Sequence, residues 1–132
     1  MVAEASLQRL ATVLDGATVD CAYYLHPLPR GLVTAARGGL AVLFGATTNP
    51  SQRYDLSQRI RFQLMGVLPA GHTEVIALND ARLALAGAAL ASGVLVYDRD
   101  PAHRLRYETT ILSEMLDFTM TAERFLGAAA SV

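Results

Sequence analysis

TEVIALNDARLALAGAALASGVLVYDRDPAHRLRY, residues Thr73 to Tyr107, is the stretch whose reading decides the fold. Glu74 to Leu78 is a short, mostly apolar run and predicts a buried strand. Asn79-Asp80 carries side-chain oxygens suited to start a helix, the Ala-rich run behind it continues that helix, and Gly93 stops it. Val94 to Tyr97 is β-branched and apolar, a further short strand. Asp100-Pro101 then opens a longer helix. The carboxylate accepts from the free amides of the first turn, and proline presets φ at the first helical position.

Downstream, the pattern of that last helix is unusual. At about 100° per residue, Tyr107, Ile111, Met115, Phe118, Ala122 and Phe125 fall on one stripe, and Leu105, Leu112, Leu116 and Met120 on a second. Glu114, Asp117, Thr121 and Arg124 fill what is left. A helix apolar over so wide an arc needs two partners. One is its own sheet; the other is either more of the same chain or a second subunit.

Upstream, Val2 to Leu14 has Leu7, Leu10, Ala11 and Leu14 at helical spacing and stops at Asp15-Gly16. Val19 to Leu25 is a strand ended by His26-Pro27-Leu28-Pro29, because two prolines remove ladder donors. Leu40 to Phe44 is a continuous apolar strand entered through Gly38-Gly39. Leu56, Ile60, Leu64 and Val67 mark one face of a helix, with Ser51 or Asp55 as its expected cap and Pro69-Ala70-Gly71 as its end. The predicted order is αββαβαβα over residues 1–132, one α+β domain of α/β-like character: a small mixed sheet flanked by helices, closed by a long C-terminal helix.

Composition narrows the function classes. Eleven arginines, no lysine and twelve acids give a net charge of −1, with the arginines dispersed instead of clustered, so nucleic-acid binding is not expected. Arg53, Arg59 and Arg61 form the nearest thing to a basic patch and are expected on a solvated helix face. No apolar run reaches the roughly 20 residues of a membrane span, and Glu4 and Arg9 interrupt any leader-like pattern, so a cytoplasmic protein is expected. The single Cys21 is flanked by core-type residues and is expected to be an inert thiol.

The Thr73 to Tyr107 stretch resembles the C-terminal half of the minimal nucleotidyltransferase domains of the DNA polymerase beta-type superfamily. The shared features are a strand ending in Leu-Asn, a helix, and a strand ending in Tyr-x-Arg-Asp, here Tyr97 to Asp100. In that family a Gly-Ser pair follows the first strand, an Arg-Gly comes a few residues on, and an Asp-x-Asp opens the second strand. Here His26 and Pro27 stand at the Gly-Ser position, Arg30-Gly31 matches the Arg-Gly, and Arg37 and Gly39 stand where the two aspartates belong. The family's third carboxylate falls at Glu74.

The resemblance implies a scaffold whose metal and phosphate ligands have been replaced. Nucleotidyl transfer uses two divalent ions about 3.5–4 Å apart held between carboxylates, and a single Glu cannot hold that pair. Arg37 would repel a cation, although its guanidinium suits a phosphate. No cofactor is therefore expected. What remains is protein binding: many members are antitoxins that neutralise a helical HEPN-type toxin, and the expected partner surface is Leu105, Leu112, Leu116 and Met120 together with the Ala-rich helix from Asp80 to Ala91.

Two alternatives stay open. One is a Mg²⁺-dependent nucleotidyltransferase in which Glu74, joined by Asp20 or Asp55, is the catalytic and metal residue while Arg30, Gly31 and Arg37 cradle a nucleoside triphosphate. The other is a self-associating structural domain. His26, His72 and His103 are isolated in sequence, and local capping by Asp98 or Asp100 accounts for His103 better than a metal does.

Overall fold

The computed structural model describes residues 4–29, 38–65, 67 and 73–130. Its elements run α1 (Glu4–Asp15), β1 (Val19–Leu25), β2 (Gly38–Phe44), α2 (Pro50–Gln63), β3 (Thr73–Ala77), a 3₁₀ turn (Leu78–Asp80), α3 (Leu83–Ser92), β4 (Val94–Asp98) and α4 (Pro101–Ala130). The predicted order holds throughout. The four strands form a mixed sheet in the order β3-β2-β1-β4, with β1 antiparallel to both neighbours and β2 parallel to β3.

β2 is buried along its whole length, as its unbroken apolar sequence requires for an inner strand covered on both sides. Leu40, Val42 and Phe44 join Leu10 and Leu14 of α1 and Ile60 and Leu64 of the α2 end in one core layer. Ala41 and Leu43 join Cys21, Leu25, Ile76, Leu78 and Ala89 in the other, with Tyr107 of α4 packed against it. The alternation follows from the two-residue period of a strand. The sheet is therefore sandwiched, with α1 and α2 on one face and α3 and α4 on the other.

Several local expectations are corrected. The cap of α2 is Asn49, neither Ser51 nor Asp55: its side chain accepts from the Gln52 amide at 2.8 Å while Gln52 accepts from the Asn49 amide at 2.9 Å. Asn79 does not start α3. Its side-chain amide spans the sheet edge, accepting from the Phe44 amide at 2.8 Å and donating to the Phe44 carbonyl at 3.0 Å, and α3 begins only at Leu83. Arg53 is not solvated, because Asp80 takes its guanidinium through two bonds of 2.8 Å. Pro69, Ala70 and Gly71 lie outside the described residues.

The Ala-rich α3 is not an open surface either. Ala86, Gly87 and Ala89 are buried, and Gly87 faces the Met115 sulfur so closely that a Cβ there would overlap it. Of the two stripes on α4, the first is covered only at its start: Ile111 is buried, and the Tyr107 hydroxyl donates to the Leu78 carbonyl at 3.1 Å. Burial pushes the Tyr107 phenol up to about 12. Past Met115 no described side chain of α4 is buried, and Phe118, expected on the covered stripe, is 68% exposed.

Candidate functional site

The resemblance places a site at the end of the sheet where β2 and β3 begin. Gly39 and Glu74 are register partners across the parallel pair, so they point to the same face, the one covered by α3 and α4. That brings two of the three family carboxylate positions side by side. Arg30, Gly31 and Arg37, the expected phosphate-binding residues, lie outside the described residues, as does His72.

Gly39 is the informative position. A Cβ built there would stand 2.5 Å from Leu28 Cδ2 and 3.1 Å from the Glu74 carbonyl. Leu28 packs against the core of that face, over the spot where an aspartate would emerge from β2. The glycine thus permits a close approach of backbone and leucine. An ion-pair clamp needs carboxylates converging on open space, and here one position is a glycine roofed by an apolar side chain. The described residues do not fit a two-metal centre.

Neither proposed helper reaches Glu74. Asp20 lies level with Leu43 and Phe44 on β2, whereas Glu74 lies level with Gly39, about 15 Å away along the strand at ~3.3 Å per residue. Asp55 faces a separate hollow with Thr18, Thr48 and Arg59, on the other side of α2 from Glu74. Glu74 instead lines a groove of about 440 Å³ between α2 and α3, shared with Tyr54, Arg61 and Leu85. Asp80 also borders that groove, with both carboxylate oxygens engaged by Arg53.

The opposite end of the sheet holds a polar cluster that sequence reading did not assemble. Between Val19 and Cys21 the β1–β2 register slips by one residue, so Asp20 is the extra residue of a β-bulge. The residue is 5% exposed. Arg99 donates to Oδ1 at 2.6 Å, His103 Nδ1 lies 2.6 Å from Oδ2, and the Asp20 carbonyl accepts from the amides of Arg99 at 2.7 Å and Asp100 at 3.1 Å. Asp100 in turn accepts from the His103 amide at 3.1 Å, the expected cap of α4. Burial raises the Asp20 carboxyl, and the bonds from Arg99 and His103 outweigh it, holding the group below its ordinary 3.8.

Asp20, Asp100 and His103 place ligand atoms within 4.8 Å of one another. The Arg99 cation on the same carboxylate disfavours a metal there, and the cluster is sufficiently explained as a clamp joining β1, β4 and α4. This gives the Tyr-x-Arg-Asp signature a structural meaning: the Tyr97 hydroxyl bonds to Asp15 of α1, Arg99 holds Asp20, and Asp100 caps α4. Arg104 adds a second tie, to Asp98 at 2.9 Å and Glu108 at 2.6 Å.

The remaining candidates are quiet. Cys21 is fully buried and burial pushes its thiol up to about 12, so it is inert as expected. His26 is exposed and stacks on Tyr24 with ring centroids 6.2 Å apart. By contrast, the expected partner surface on α4 is open: Leu105, Leu112, Leu116 and Met120 are 55, 62, 61 and 42% exposed. Among the described residues, no helix is long and apolar enough to cross a membrane.

No protein-family profile matches the sequence, and no curated protein matches it. Solved structures do share the fold. The toxin-antitoxin MntA-HepT structure contains a chain with TM-score 0.64 and 12% identity, covering 96% of this chain and 98% of that one. The complex of a tri-AMPylated Shewanella oneidensis HEPN toxin with its MNT antitoxin matches with TM-score 0.64 and 12% identity, covering 96% and 97%. A toxin-antitoxin structure with AMP-PNP matches with TM-score 0.63 and 13% identity, covering 93% and 97%. The chain has the MNT-like nucleotidyltransferase fold across nearly its whole length.

Proposed function

We propose that this chain is an antitoxin-like protein that acts by binding a HEPN-type toxin, on a nucleotidyltransferase scaffold that has lost its metal centre. The observation that carries the second half is the Leu28 side chain packed over Gly39, with Cδ2 2.5 Å from where a Cβ would stand. Restoring the missing aspartate there would require the leucine to move. The fold shared with MNT antitoxins in toxin complexes supports the first half.

The contact surface is the C-terminal part of α4. From residue 116 to Ala130 the helix carries no buried described side chain and extends about 22 Å at ~1.5 Å per residue. Leu112, Leu116 and Met120 make one apolar ridge on it and Phe118 another. Large apolar side chains at that density on a water-facing helix are the mark of a partner surface.

The test is co-expression with a HEPN-type protein from the same genome, followed by sizing of the complex and intact-mass analysis of the toxin. A stable complex with unmodified toxin is the expected result. The solved neighbour whose toxin is tri-AMPylated favours a second reading, in which Mg²⁺ and a nucleoside triphosphate are used at Glu74. A nucleotide adduct on the toxin that disappears with Glu74→Ala would establish that reading and defeat the degenerate one.

A further inference from the structure

β3 is an edge strand. Its inner side pairs with β2 over five consecutive residues without a register break, and among the described residues no strand lies beyond it. In a parallel pair, the N–H and C=O groups of every second residue point away from the neighbour. Natural edges are protected by proline, lysine or bulges, and Thr73–Ala77 has none of these, with Glu74 its one charge.

The groove along this edge has the shape of a missing strand. Its floor is Glu74, Val75, Ile76 and Ala77 in unbroken succession. Only an edge-on view exposes consecutive residues, because a strand's face shows every second one. Its walls rise from opposite faces of the sheet, Tyr54 and Arg61 on α2 and Ala81 and Leu85 at the start of α3. One added strand, about 4.8 Å beyond β3, would lie between them.

The two walls differ in chemistry. On the α2 side Arg61 is half-buried and has no ion-pair partner among the described residues, whereas Arg53 two turns earlier is held by Asp80. On the α3 side Leu85 stands beside Ile76, both part of the core layer there. Glu74 shares that side with Ile76, by the strand's two-residue period, so it does not face Arg61.

We propose that this groove binds an extended segment of a partner protein, alternating acidic and apolar residues, by adding it to the sheet as a fifth strand beside β3. Acidic side chains meet Arg61 and apolar ones meet Ile76 and Leu85, while main-chain bonds to β3 supply affinity. The site is separate from the α4 ridge and does not depend on the toxin reading.

The probe is a blocked, fluorescein-labelled peptide with a Val-Glu-Val-Glu-Val-Glu core, titrated against the full chain by fluorescence anisotropy. Saturable binding is expected, weakened at least about tenfold by Arg61→Glu or by Lys in place of Glu in the peptide, a loss of roughly 1.4 kcal/mol. N-methylation of alternate peptide residues should abolish binding in one register and spare it in the other. Amide shifts in the NMR spectrum should centre on Val75 to Ala77, and an unchanged Tm shows that Arg61→Glu still folds. No saturable binding, or binding indifferent to both Arg61→Glu and N-methylation, would overturn the proposal. So would a chain that already dimerises through β3, since a second copy would then be the occupant.

Discussion

Asp20 is the residue through which β1 is tied to β4 and α4. It is buried, both its oxygens are engaged by cationic or ring donors, and its carbonyl takes two amides from the β4–α4 junction. Asp20→Asn removes the charge while keeping the shape, and should cost about 2–3 kcal/mol, the range for hydrogen bonds to a charged group. For a domain of this size that is a fall in Tm of about 8–12 °C, measurable by differential scanning calorimetry. The pH dependence has a definite sign. The folded carboxyl is held below its ordinary 3.8, so its contribution is complete above that value and is lost as pH falls through the lower folded value. Acid unfolding of the wild type should therefore steepen below about pH 4, and the Asn variant should lack that component.

At Gly39 the same scale tests the metal-site argument. Gly39→Asp restores a family carboxylate in sequence but drives a side chain into Leu28 and the Glu74 carbonyl. Overpacking of this kind costs about 1–3 kcal/mol. The variant should unfold at lower temperature and gain no Mg²⁺-dependent stabilisation, whereas Gly39→Asp with Leu28→Ala should recover most of the loss. Equal stability of Gly39→Asp and wild type would mean that Leu28 yields freely and that the site is less closed than its geometry indicates.

Among the elements, α4 divides into an anchored start and an exposed end. Its first turns are anchored by Asp100, His103, Tyr107 and Ile111, and its later turns stand clear of the sheet. The double change Leu112→Glu and Leu116→Glu falls on exposed positions, so Tm should move by less than about 2 °C, since surface substitutions stay within ±0.5 kcal/mol. Toxin binding should weaken at least about a hundredfold in a titration by calorimetry, because two apolar anchors become charges that the interface must desolvate. An unchanged affinity would move the interface elsewhere on the molecule.

The order of the elements was legible in the sequence because each carries a local signal. Val19 to Leu25 is bounded by glycine and proline, and Asp100-Pro101 marks the start of α4 within the residues themselves. What escaped was tertiary. Asn79 has the composition of a helix cap, yet Phe44, on a strand 35 residues earlier, uses its amide. The bulge at Asp20 has no pattern of its own, and its partners lie 79 and 83 positions away. The two stripes of α4 can be drawn from the sequence, but their period carries no information on where the rest of the chain stops covering the helix, and Phe118 of the first stripe is exposed. The closure over Gly39 was half legible: the missing aspartate was plain, and the leucine that fills its place was not.

At the scale of the molecule, helices on both faces of a four-stranded mixed sheet leave apolar surface open, among the described residues, at the end of α4 and along the sheet edges at β3 and β4. The α4 end and the β3 edge are the surfaces proposed for protein contact, and neither converges carboxylates on a common point. A scaffold that works by binding should respond to its partner and not to nucleotide. Thermal unfolding with Mg²⁺ and ATP, GTP or CTP measures this directly, because a ligand at 100 times its dissociation constant stabilises the fold by about 2.7 kcal/mol, several degrees in Tm. No nucleotide should shift Tm by more than about 1 °C, well inside the effect of a bound ligand. A HEPN-type partner in similar excess should raise it by the full amount. A Mg²⁺-dependent shift with one nucleotide, abolished by Glu74→Ala, would instead mean that Glu74 still holds the metal of a nucleotide site. The enzyme reading would then account for the fold better than binding does.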